Sequence, residues 1–323
     1  MSAHRSVLIF TEKFDPHVDA VIQALNERGR QFFRLNTSDF HTDYRVSLGG
    51  DDGSMRFEDR WGRSVNFPSG VHSAWHRKPD EPRLPDGLDE PTKQTIRNET
   101  LELMNYLSCI RSVPWYNNQE ANRVSQRKFP QLCLARELGL RIPRTLITND
   151  PEKARAFAAA IDAPLLCKSM KEPGYSTESD SYFIFSRLVG EREFAENADK
   201  IALCPTFFQE YIPKAYELRV TIMGDAVFCC RIDSQSTAGA ETDWRMVTPD
   251  KIEHRLIELD PATTGRLKEM LRLYGLRFGA FDLIVTPQGE VVFLELNPNG
   301  QWLWIELMTG APMTAAMTDL LLS

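Results

Sequence analysis

The sequence predicts a chain of mixed α/β and α+β architecture in several domains, and three observations support this fold class. An apolar strand, an amphipathic helix and a second strand follow one another over residues 6–35, which is the order of a βαβ unit. Shorter strands and helices in a different pattern begin after Pro114. A hairpin over 281–301 then carries acidic residues at interior strand positions, where acids are costly unless they bind something. The first two observations predict the architecture, and the third predicts a functional site.

Residues 1–115 are predicted to form the N-terminal domain. Apolar residues with helical spacing run over 15–28, and Gly29 separates this helix from the second strand. No GxGxxG motif follows the first strand, so a dinucleotide-binding oxidoreductase is not expected. The remaining predicted elements are hairpins within 45–66, a proline-rich surface connection over 79–91 and a helix over 91–112.

Two further domains are expected, a central one over 116–213 and a C-terminal one over 214–323. The predicted elements of the central domain are helices over 120–138 and 151–160, strands over 143–148, 164–170, 182–186 and 206–212, and an acidic helix over 190–200. Asp150 is the predicted N-cap of the second of these helices. The C-terminal domain is predicted to contain a hairpin over 218–232 that turns at Gly224-Asp225, a helix over 261–274 and the acidic hairpin.

The acidic hairpin predicts a magnesium site. A four-residue loop would pair Thr286 with Val291. In that register Asp282 lies opposite Glu295, and Asn297 follows on the same face. Opposed carboxylates among apolar neighbours repel each other and lose hydration unless a cation lies between them. Because Mg²⁺ prefers oxygen ligands and is commonly held by one or two carboxylates plus substrate phosphates, we expect a metal-nucleotide site; the alternative is an edge hairpin whose acids face water.

Two lysines are candidates for binding the phosphates of that nucleotide. Lys168 lies within an apolar strand, where an ammonium group needs an anion. Lys128 lies near the start of the central domain and could reach the same phosphates, although a solvated helix residue is the alternative. The segment 171–177, KEPGYST, contains a single glycine and gives only weak support for a phosphate-covering loop.

A purine could be read at the end of the predicted strand 206–212. The strand stops before Pro213, so polar side chains and backbone groups become available there. The alternative is an ordinary strand terminus. The residues concerned are Gln209, Glu210, Tyr211 and Ile212.

Three arginines are candidates for binding an acidic substrate. Arg219 and Arg231 lie in the hairpin before the acidic strands, and Arg245 follows in the next polar segment. Guanidinium groups pair in a bidentate way with carboxylate or phosphate, as transfer between ATP and an acid requires. Arginine on a sheet surface is also common, and Arg219 is the candidate we favour.

Composition excludes several other classes of function. The 323 residues are 42% hydrophobic and 26% charged, which predicts a large folded core. No apolar stretch approaches a membrane span, and no signal segment opens the sequence, so a cytoplasmic protein is expected. Six cysteines without a CxxC pair and six histidines without HExxH spacing disfavour a disulfide scaffold and a zinc site. The formal charge of −7 argues against nucleic acid as the main partner.

The order of the candidate residues, from Lys128 through Asp282 to Asn297, resembles that of the ATP-grasp enzymes, in which two α+β subdomains hold Mg-ATP between them. Longer segments across the whole chain carry a more particular likeness: RLNTSDF at 34–40, SAWHRKP at 73–79, RVSQRKFPQLCLARELGLRIPRTLIT at 123–148, IDSQSTAGAETDWR at 232–245 and LELNPNGQWLWIE at 294–306. These segments resemble the microviridin-type graspetide synthetases, which macrocyclise ribosomally made precursor peptides.

The resemblance implies a fold, ligands and partners. It implies an ATP-grasp fold behind an N-terminal βαβ pre-ATP-grasp domain, with ATP and Mg²⁺ as cofactors. The partner would be a precursor peptide with leader and core, and the chain would form a homodimer. Position by position, the implied roles are phosphate binding by Lys128 and Lys168, adenine binding by Gln209 to Ile212, help in phosphoryl transfer from Arg219, and magnesium coordination by Asp282, Glu295 and Asn297. The acidic helix over 190–200 is a candidate for leader docking, with a plain solvated helix as the alternative.

The implied reaction is an ATP-dependent ring closure. An Asp or Glu side chain of the peptide would be phosphorylated to an acyl phosphate, which a Ser or Thr hydroxyl or a Lys amine then attacks to give an ω-ester or ω-amide. Two alternatives share the same nucleotide residues: an ATP-grasp ligase for a small amino-acid substrate, and a nucleotide-binding regulatory protein without turnover.

Overall fold

The computed structural model describes residues 5–49, 55–161, 163–170, 174–176, 181–183, 186–240, 244 and 247–323. The strands are β1 Ser6–Thr11, β2 Phe32–Asn36, β3 Tyr44–Leu48, β4 Met55–Asp59, β5 Ser64–Phe67, β6 Val71–Lys78, β7 Trp115–Tyr116, β8 Thr145–Thr148, β9 Leu165–Lys168, β10 Gly174–Ser176, β11 Ser181–Phe183, β12 Arg187–Val189, β13 Thr206–Glu210, β14 Tyr216–Met223, β15 Ala226–Ile232, β16 His254–Ile257, β17 Phe278–Val285 and β18 Val291–Asn297. The helices are α1 Pro16–Glu27, α2 Phe40–Asp43, α3 Glu90–Ser108, α4 Gln119–Ser125, α5 Lys128–Glu137, α6 Pro151–Ala160, α7 Glu191–Asn197, α8 Pro261–Tyr274, α9 Leu303–Thr309 and α10 Met313–Leu322.

The N-terminal sheet is parallel, with strand order β2-β1-β6-β7, and the predicted βαβ unit forms half of it. A second sheet, of β3, β4 and β5, is antiparallel and corresponds to the hairpins that we predicted within residues 45–66. The strand β6 was not predicted, although it lies in the middle of the parallel sheet. Its sequence VHSAWHRK lacks the continuous apolar run of a central strand, because polar residues, among them the fully buried Ser73 and Arg77, are interspersed among the apolar ones.

A four-stranded sheet of order β12-β9-β13-β8 forms the central part of the chain, and α6 and α7 accompany it. The helix α6 begins and ends where predicted, and the Asp150 carboxylate accepts hydrogen bonds from the N–H groups of Glu152 and Lys153. The single helix predicted over 120–138 is instead two helices, α4 and α5. Gln126 and Arg127 separate them, so Lys128 is the first residue of α5.

The C-terminal sheet has five antiparallel strands in the order β16-β15-β14-β17-β18. One face packs on α8 and α5, with Leu267, Met270 and Leu271 of α8 buried against it. Thus α5, which we predicted within the central domain, packs against the C-terminal sheet. Likewise β7 extends the first sheet to Tyr116, one residue past the predicted boundary at 115.

The N-terminal and C-terminal sheets share one hydrophobic core. Val18 and Leu25 of α1 and Trp75 of β6 belong to the same buried cluster as Trp302 and Met317. The last helix, α10, packs on α1 and β6. The two parts are therefore joined by apolar burial, which is the dominant favourable term in folding.

A buried polar cluster also joins the two parts. Asp15, the N-cap of α1, accepts a hydrogen bond from Nε of Arg77 at 3.2 Å, and Arg77 Nη1 donates to the carbonyl oxygens of Asn299 and Gly300. The Nε2 atom of His17 accepts the N–H groups of Trp302 and Leu303. The proton of this imidazole therefore lies on Nδ1, which is 3.2 Å from Asp15 Oδ1.

Burial and hydrogen bonding set the charge states in this cluster. Burial alone would raise the pKa of Asp15, but the hydrogen bond with His17 and the charge of Arg77 outweigh it and hold that pKa well below its usual range. Burial lowers the pKa of His17, so its imidazole is neutral at pH 7. Burial also lowers the pKa of Arg77 to about 10 despite the nearby Asp15. The cluster thus holds a buried Asp–Arg ion pair and a neutral histidine.

Asn117 connects β17 with the segment after β18. It is fully buried and adopts a left-handed conformation, with φ of 55°. Its Nδ2 donates to the carbonyl oxygens of Phe278 and Pro298, and its Oδ1 accepts the N–H groups of Arg277 and Phe278. One side chain therefore satisfies four backbone groups.

Across the ranges that the structure describes, no helix has the length and apolar character needed to cross a membrane.

Replacing Asn117 by Ala is expected to lower the free energy of unfolding by about 3 kcal/mol, because buried backbone groups lose their partners and Ala resists a positive φ. The measurement is urea-induced unfolding of the purified variant. The exposed Asn98 of α3 provides the control, Asn98→Ala. An equal shift in both variants would contradict the assigned role.

Asp15→Asn is expected to destabilise the fold most at neutral pH, since it leaves the buried Arg77 without its counter-charge. The folded-state pKa of Asp15 lies below the unfolded value, so its contribution is present above pH ~4 and is lost as the pH falls further. Urea unfolding at a series of pH values should therefore show the gap between variant and wild type narrowing below pH ~4. The control is Asp319→Asn at an exposed ion pair with Arg28. A gap that stays constant over this range would show that Asp15 is not the titrating group.

Candidate nucleotide and metal site

The acidic hairpin pairs Asp282 with Glu295, as predicted, although the register differs at the turn. Val285, and not Thr286, pairs with Val291. Thr286 N–H donates to the Glu290 carbonyl, so near the turn each residue of β17 lies opposite a residue one position earlier in β18 than we predicted. A β-bulge between Asp282 and Leu283 restores the predicted register. Our predicted pairing of Thr286 with Val291 is therefore wrong, whereas the pairing of the two acids is confirmed.

The two carboxylates share one hydrogen-bond donor. Nδ2 of Asn297 lies 2.9 Å from Asp282 Oδ2 and 3.2 Å from Glu295 Oε1. Asn297 pairs with Ala280, two residues before Asp282, and so lies on the same face of the sheet. The three predicted metal ligands are thus brought together.

Cations from the central part of the chain surround Glu295. Burial alone would raise the pKa of this half-buried carboxyl group, but the ammonium groups of Lys128 and Lys168, together with the hydrogen bond from Asn297, hold its pKa below the usual range. Lys128 Nζ donates to the carbonyl of Ser169, the residue after β9. Both predicted phosphate-binding lysines therefore lie within electrostatic reach of the acidic pair.

Arg219 contacts the acidic pair from the neighbouring strand. It pairs with Asp282 across β14 and β17, and its Nη1 donates to Asp282 Oδ1 at 2.7 Å. Its Nη2 lies 3.3 Å from the carbonyl oxygen of Gln301. Gly300 permits this approach, because a Cβ atom there would lie 2.8 Å from Nη2 and would clash with the Ala280 side chain. The buried guanidinium is thus fixed between the Asp282 carboxylate and the turn after β18.

The segment predicted to read a purine lies where β13 ends. Gln209 is buried, its Nε2 donates to Thr145 Oγ1, and its Oε1 has no hydrogen-bond partner within the described ranges. Glu210 Oε2 accepts the N–H of Arg144, and Tyr211 N–H donates to the Pro164 carbonyl.

Ile212 links this segment to the acidic strand. It packs with Ile284 and Val292, and Ile284 follows Asp282 by two residues on the same face of β17. A small buried apolar cluster therefore lies beside the charged residues, and apolar side chains of this kind form most of the lining of a pocket for a base.

A cavity of about 300 Å³ lies between the segment 210–213 and the tip of the acidic hairpin. Residues that line it include Arg141, Pro164, Tyr211 and Gln288. The two lysines and the acidic pair do not line it, so this cavity is distinct from the charged cluster.

Two other predicted residues are not part of this cluster. Arg231 pairs with Leu218, so strand alternation places it on the face of the sheet opposite Arg219. There it packs 3.7 Å from the ring centre of Tyr216 and donates to Asp233. Arg245 lies outside the described residues, as does most of the segment 171–177, of which only β10 is described.

The donor set fits a magnesium ion. Asp282 and Glu295 supply carboxylate oxygens, and rotation of the Asn297 amide by half a turn would add its carbonyl oxygen. Among the residues described, no group of three or more His, Cys, Asp and Glu side chains could hold a metal. Two carboxylates are therefore the anionic part of the site, which suits a hard cation that also binds phosphate oxygens.

Two residues that were not predicted from the sequence bind the backbone beside the acidic pair. Gln131 of α5 donates through Nε2 to the Leu296 carbonyl and accepts the Leu296 N–H at Oε1. It therefore provides hydrogen-bond partners for the backbone at the outer edge of β18, between Glu295 and Asn297. After β18, Nδ2 of Asn117 donates to the Pro298 carbonyl. No local pattern marks these residues, because their partners are distant in the sequence.

A family model, the MvdD pre-ATP-grasp domain, matches residues 6–123. Comparison with curated protein sequences gave no match. Among solved structures, the macrocyclase MdnC of Microcystis aeruginosa MRC bound with its precursor peptide MdnA is 28% identical, with 98% of this chain and 99% of that chain covered and a TM-score of 0.85. The macrocyclase MdnB of the same organism is 29% identical, with coverage of 98% and 99% and a TM-score of 0.80.

A third similar structure is the Chryseobacterium gregarium RiPP-associated ATP-grasp ligase in complex with ADP and a leader and core peptide. It is 26% identical, with 98% of this chain and 96% of that chain covered and a TM-score of 0.89. The likeness extends over nearly the whole chain in all three cases, which confirms the predicted ATP-grasp fold with its pre-ATP-grasp domain. The family model and these structural matches together support an ATP-grasp ligase of the graspetide type, an ATP-dependent enzyme.

Proposed function

We propose that this enzyme closes rings in a ribosomally made precursor peptide, at the expense of ATP, as a graspetide synthetase of the microviridin type. The observation that carries the proposal is the opposed pair Asp282 and Glu295 with Arg219 and two lysines around it. The similar structures support it, since MdnC is bound with a precursor peptide and the Chryseobacterium ligase with ADP, leader and core.

In this proposal the lysines and the acidic residues bind different parts of the Mg-nucleotide. Lys128 and Lys168 bind phosphate oxygens, while Asp282, Glu295 and Asn297 hold Mg²⁺. Magnesium, when bound, neutralises charge on the β- and γ-phosphates. The segment from Gln209 to Ile212 binds adenine, next to the apolar cluster that Ile212 forms with Ile284 and Val292.

The reaction has two steps. A side-chain carboxylate oxygen of the peptide attacks the γ-phosphorus, the bond to the β-phosphate oxygen breaks, and ADP leaves. A Ser or Thr hydroxyl, or a Lys amine, then attacks the acyl carbon, loses its proton and expels phosphate, which gives an ester or amide ring. Arg219 lies beside Asp282 and donates to the transferring phosphoryl group. Its role is electrostatic, so the protein needs no nucleophile of its own.

The division into units 1–115, 116–213 and 214–323 and the formation of a homodimer also belong to this proposal. Light scattering coupled to gel filtration tests the dimer. A role of Arg231 and Arg245 in binding acidic groups of the peptide is retained as well, although Arg231 would have to act from the other face of the sheet.

The proposal is tested by mass spectrometry of a candidate precursor peptide encoded near the gene, after incubation with the enzyme, ATP and magnesium. Each ring should remove the mass of one water, and only when ATP is present. Mild alkaline hydrolysis then separates ester from amide rings. An unchanged peptide, with ATP consumed in the presence of a small amino acid, would favour a small-substrate ligase instead. ATP binding without turnover on either substrate would favour a regulatory protein.

Asp282→Asn is expected to reduce ADP release and ring formation roughly 100-fold or more, because it removes an anionic ligand from the phosphoryl-transfer site. The substitution keeps the shape of the side chain but takes the paired carboxylate from Arg219, so circular dichroism is used to check that the variant is folded. Asp225→Asn, at the exposed turn of the β14–β15 hairpin, is the matched control and should retain activity. Ring formation at the wild-type rate in Asp282→Asn would rule out the assigned metal site.

A further inference from the structure

Arg77 connects the N-terminal domain to the turn that follows the metal-binding strand. It lies near the end of β6, is fully buried, and donates to the carbonyl oxygens of Asn299 and Gly300. Its guanidinium carbon lies 5.0 Å from the ring centre of Trp302. One arginine therefore contacts three residues of the turn 298–302.

The same turn holds Arg219 on its other side. Arg219 Nη2 lies 3.3 Å from the Gln301 carbonyl, and the absence of a side chain at Gly300 lets the guanidinium rest against the turn backbone. The Gly300 carbonyl accepts from Arg77, while the next carbonyl accepts from Arg219. Two arginines from different domains thus bind consecutive carbonyl groups.

Asp15 and His17 fix the N-terminal side of this arrangement. Asp15 accepts from Nε of Arg77, and His17 accepts the N–H groups of Trp302 and Leu303 at the start of α9. All three side chains are buried. The end of the turn and its middle are consequently held by the same cluster.

The two guanidinium groups are close enough to affect each other. Arg219 is among the charges that lower the pKa of Arg77, after burial itself. Each group has its own carboxylate, Asp15 for Arg77 and Asp282 for Arg219. Among the described residues, Nη2 of Arg77 and Nε of Arg219 have no hydrogen-bond partner. The turn carbonyls and the two carboxylates therefore fix both positions.

We propose that Arg77 is a positioning residue for the phosphoryl-transfer step: together with Asp15 it sets the turn 298–302, and through this turn it holds Arg219 against Asp282. The inference rests on the proposed function, since it assigns Arg219 to phosphoryl transfer. It makes the pre-ATP-grasp domain a part of the catalytic apparatus. Removal of Arg77 should thus disturb Arg219 indirectly, because the Arg77 side chain contacts Asp15 and residues of the turn.

The kinetic test uses Arg77→Met and the double variant Asp15→Asn/Arg77→Met, which removes both buried charges and so avoids an unpaired carboxylate. The turnover number for peptide-dependent ADP release should fall roughly 10- to 100-fold, because a small displacement of a catalytic group is costly. The KM for ATP should change little. The matched control is Arg63→Met, which breaks an ion pair with the buried Asp59 in the same domain, far along the chain from the turn. An unchanged turnover number in both Arg77 variants would overturn the proposal.

A double-mutant cycle separates positioning from a merely structural role. Arg219→Lys already removes the guanidinium that Arg77 is proposed to position, so Arg77→Met should cause little further loss of turnover in that background. If Arg77 only stabilises the fold, its substitution should reduce turnover by the same factor with Arg219 present or replaced, and this outcome would refute the inference.

A crystal structure of Asp15→Asn/Arg77→Met tests the inference without any peptide. We expect the contacts of Arg219 with Gln301 and Asp282 to be lost or lengthened there. Their retention would overturn the inference even if ring formation is confirmed. Conversely, a wild-type enzyme that modifies no peptide would refute the proposed function while leaving this structural result to stand or fall independently.

Discussion

The compensation of charge around Asp282 and Glu295 is the constraint on which the site depends. Two acids face each other on adjacent strands whose other residues are largely apolar, an arrangement that costs free energy when the charges are unbalanced. The balancing cations come from three places: Lys128 from the start of α5, Lys168 from the end of β9, and Arg219 from β14. The central sheet supplies one of these cations, Lys168, so the full compensation requires that sheet to lie against the acidic hairpin.

Local sequence patterns correctly predicted the helices whose first residues include a capping aspartate and a proline. Both α6 and α8 begin at a proline after an aspartate cap, and both have the predicted bounds. By contrast, β6 was missed because its polar residues face other parts of the protein, among them Arg77 at the interface with the C-terminal turn. The break between α4 and α5 also escaped prediction, since the residues 125–128 around it include no glycine or proline to mark a helix end.

The charged residues of the site could be predicted from the sequence, whereas the residues that hydrogen-bond to the backbone around them could not. The acids of the hairpin could be paired from strand alternation alone, and the error at the turn was cancelled by a bulge that no local pattern reveals. The residues that support the site, such as Gln131 and Asn117, act through backbone groups far along the chain. Their side chains are common in loops and helices, so only the folded structure distinguishes them.

The position of α10 affects how the chain acquires its structure during synthesis. This helix covers α1 and β6, and Ser73 in β6 donates to the carbonyl of Leu321 near its end. Since domains generally fold in the order in which they leave the ribosome, the first sheet is made long before the helix that covers it. Until then the apolar surface that α10 covers is exposed to other chains and to chaperones. The core of the N-terminal sheet is therefore completed only after the C-terminal sheet has been synthesised.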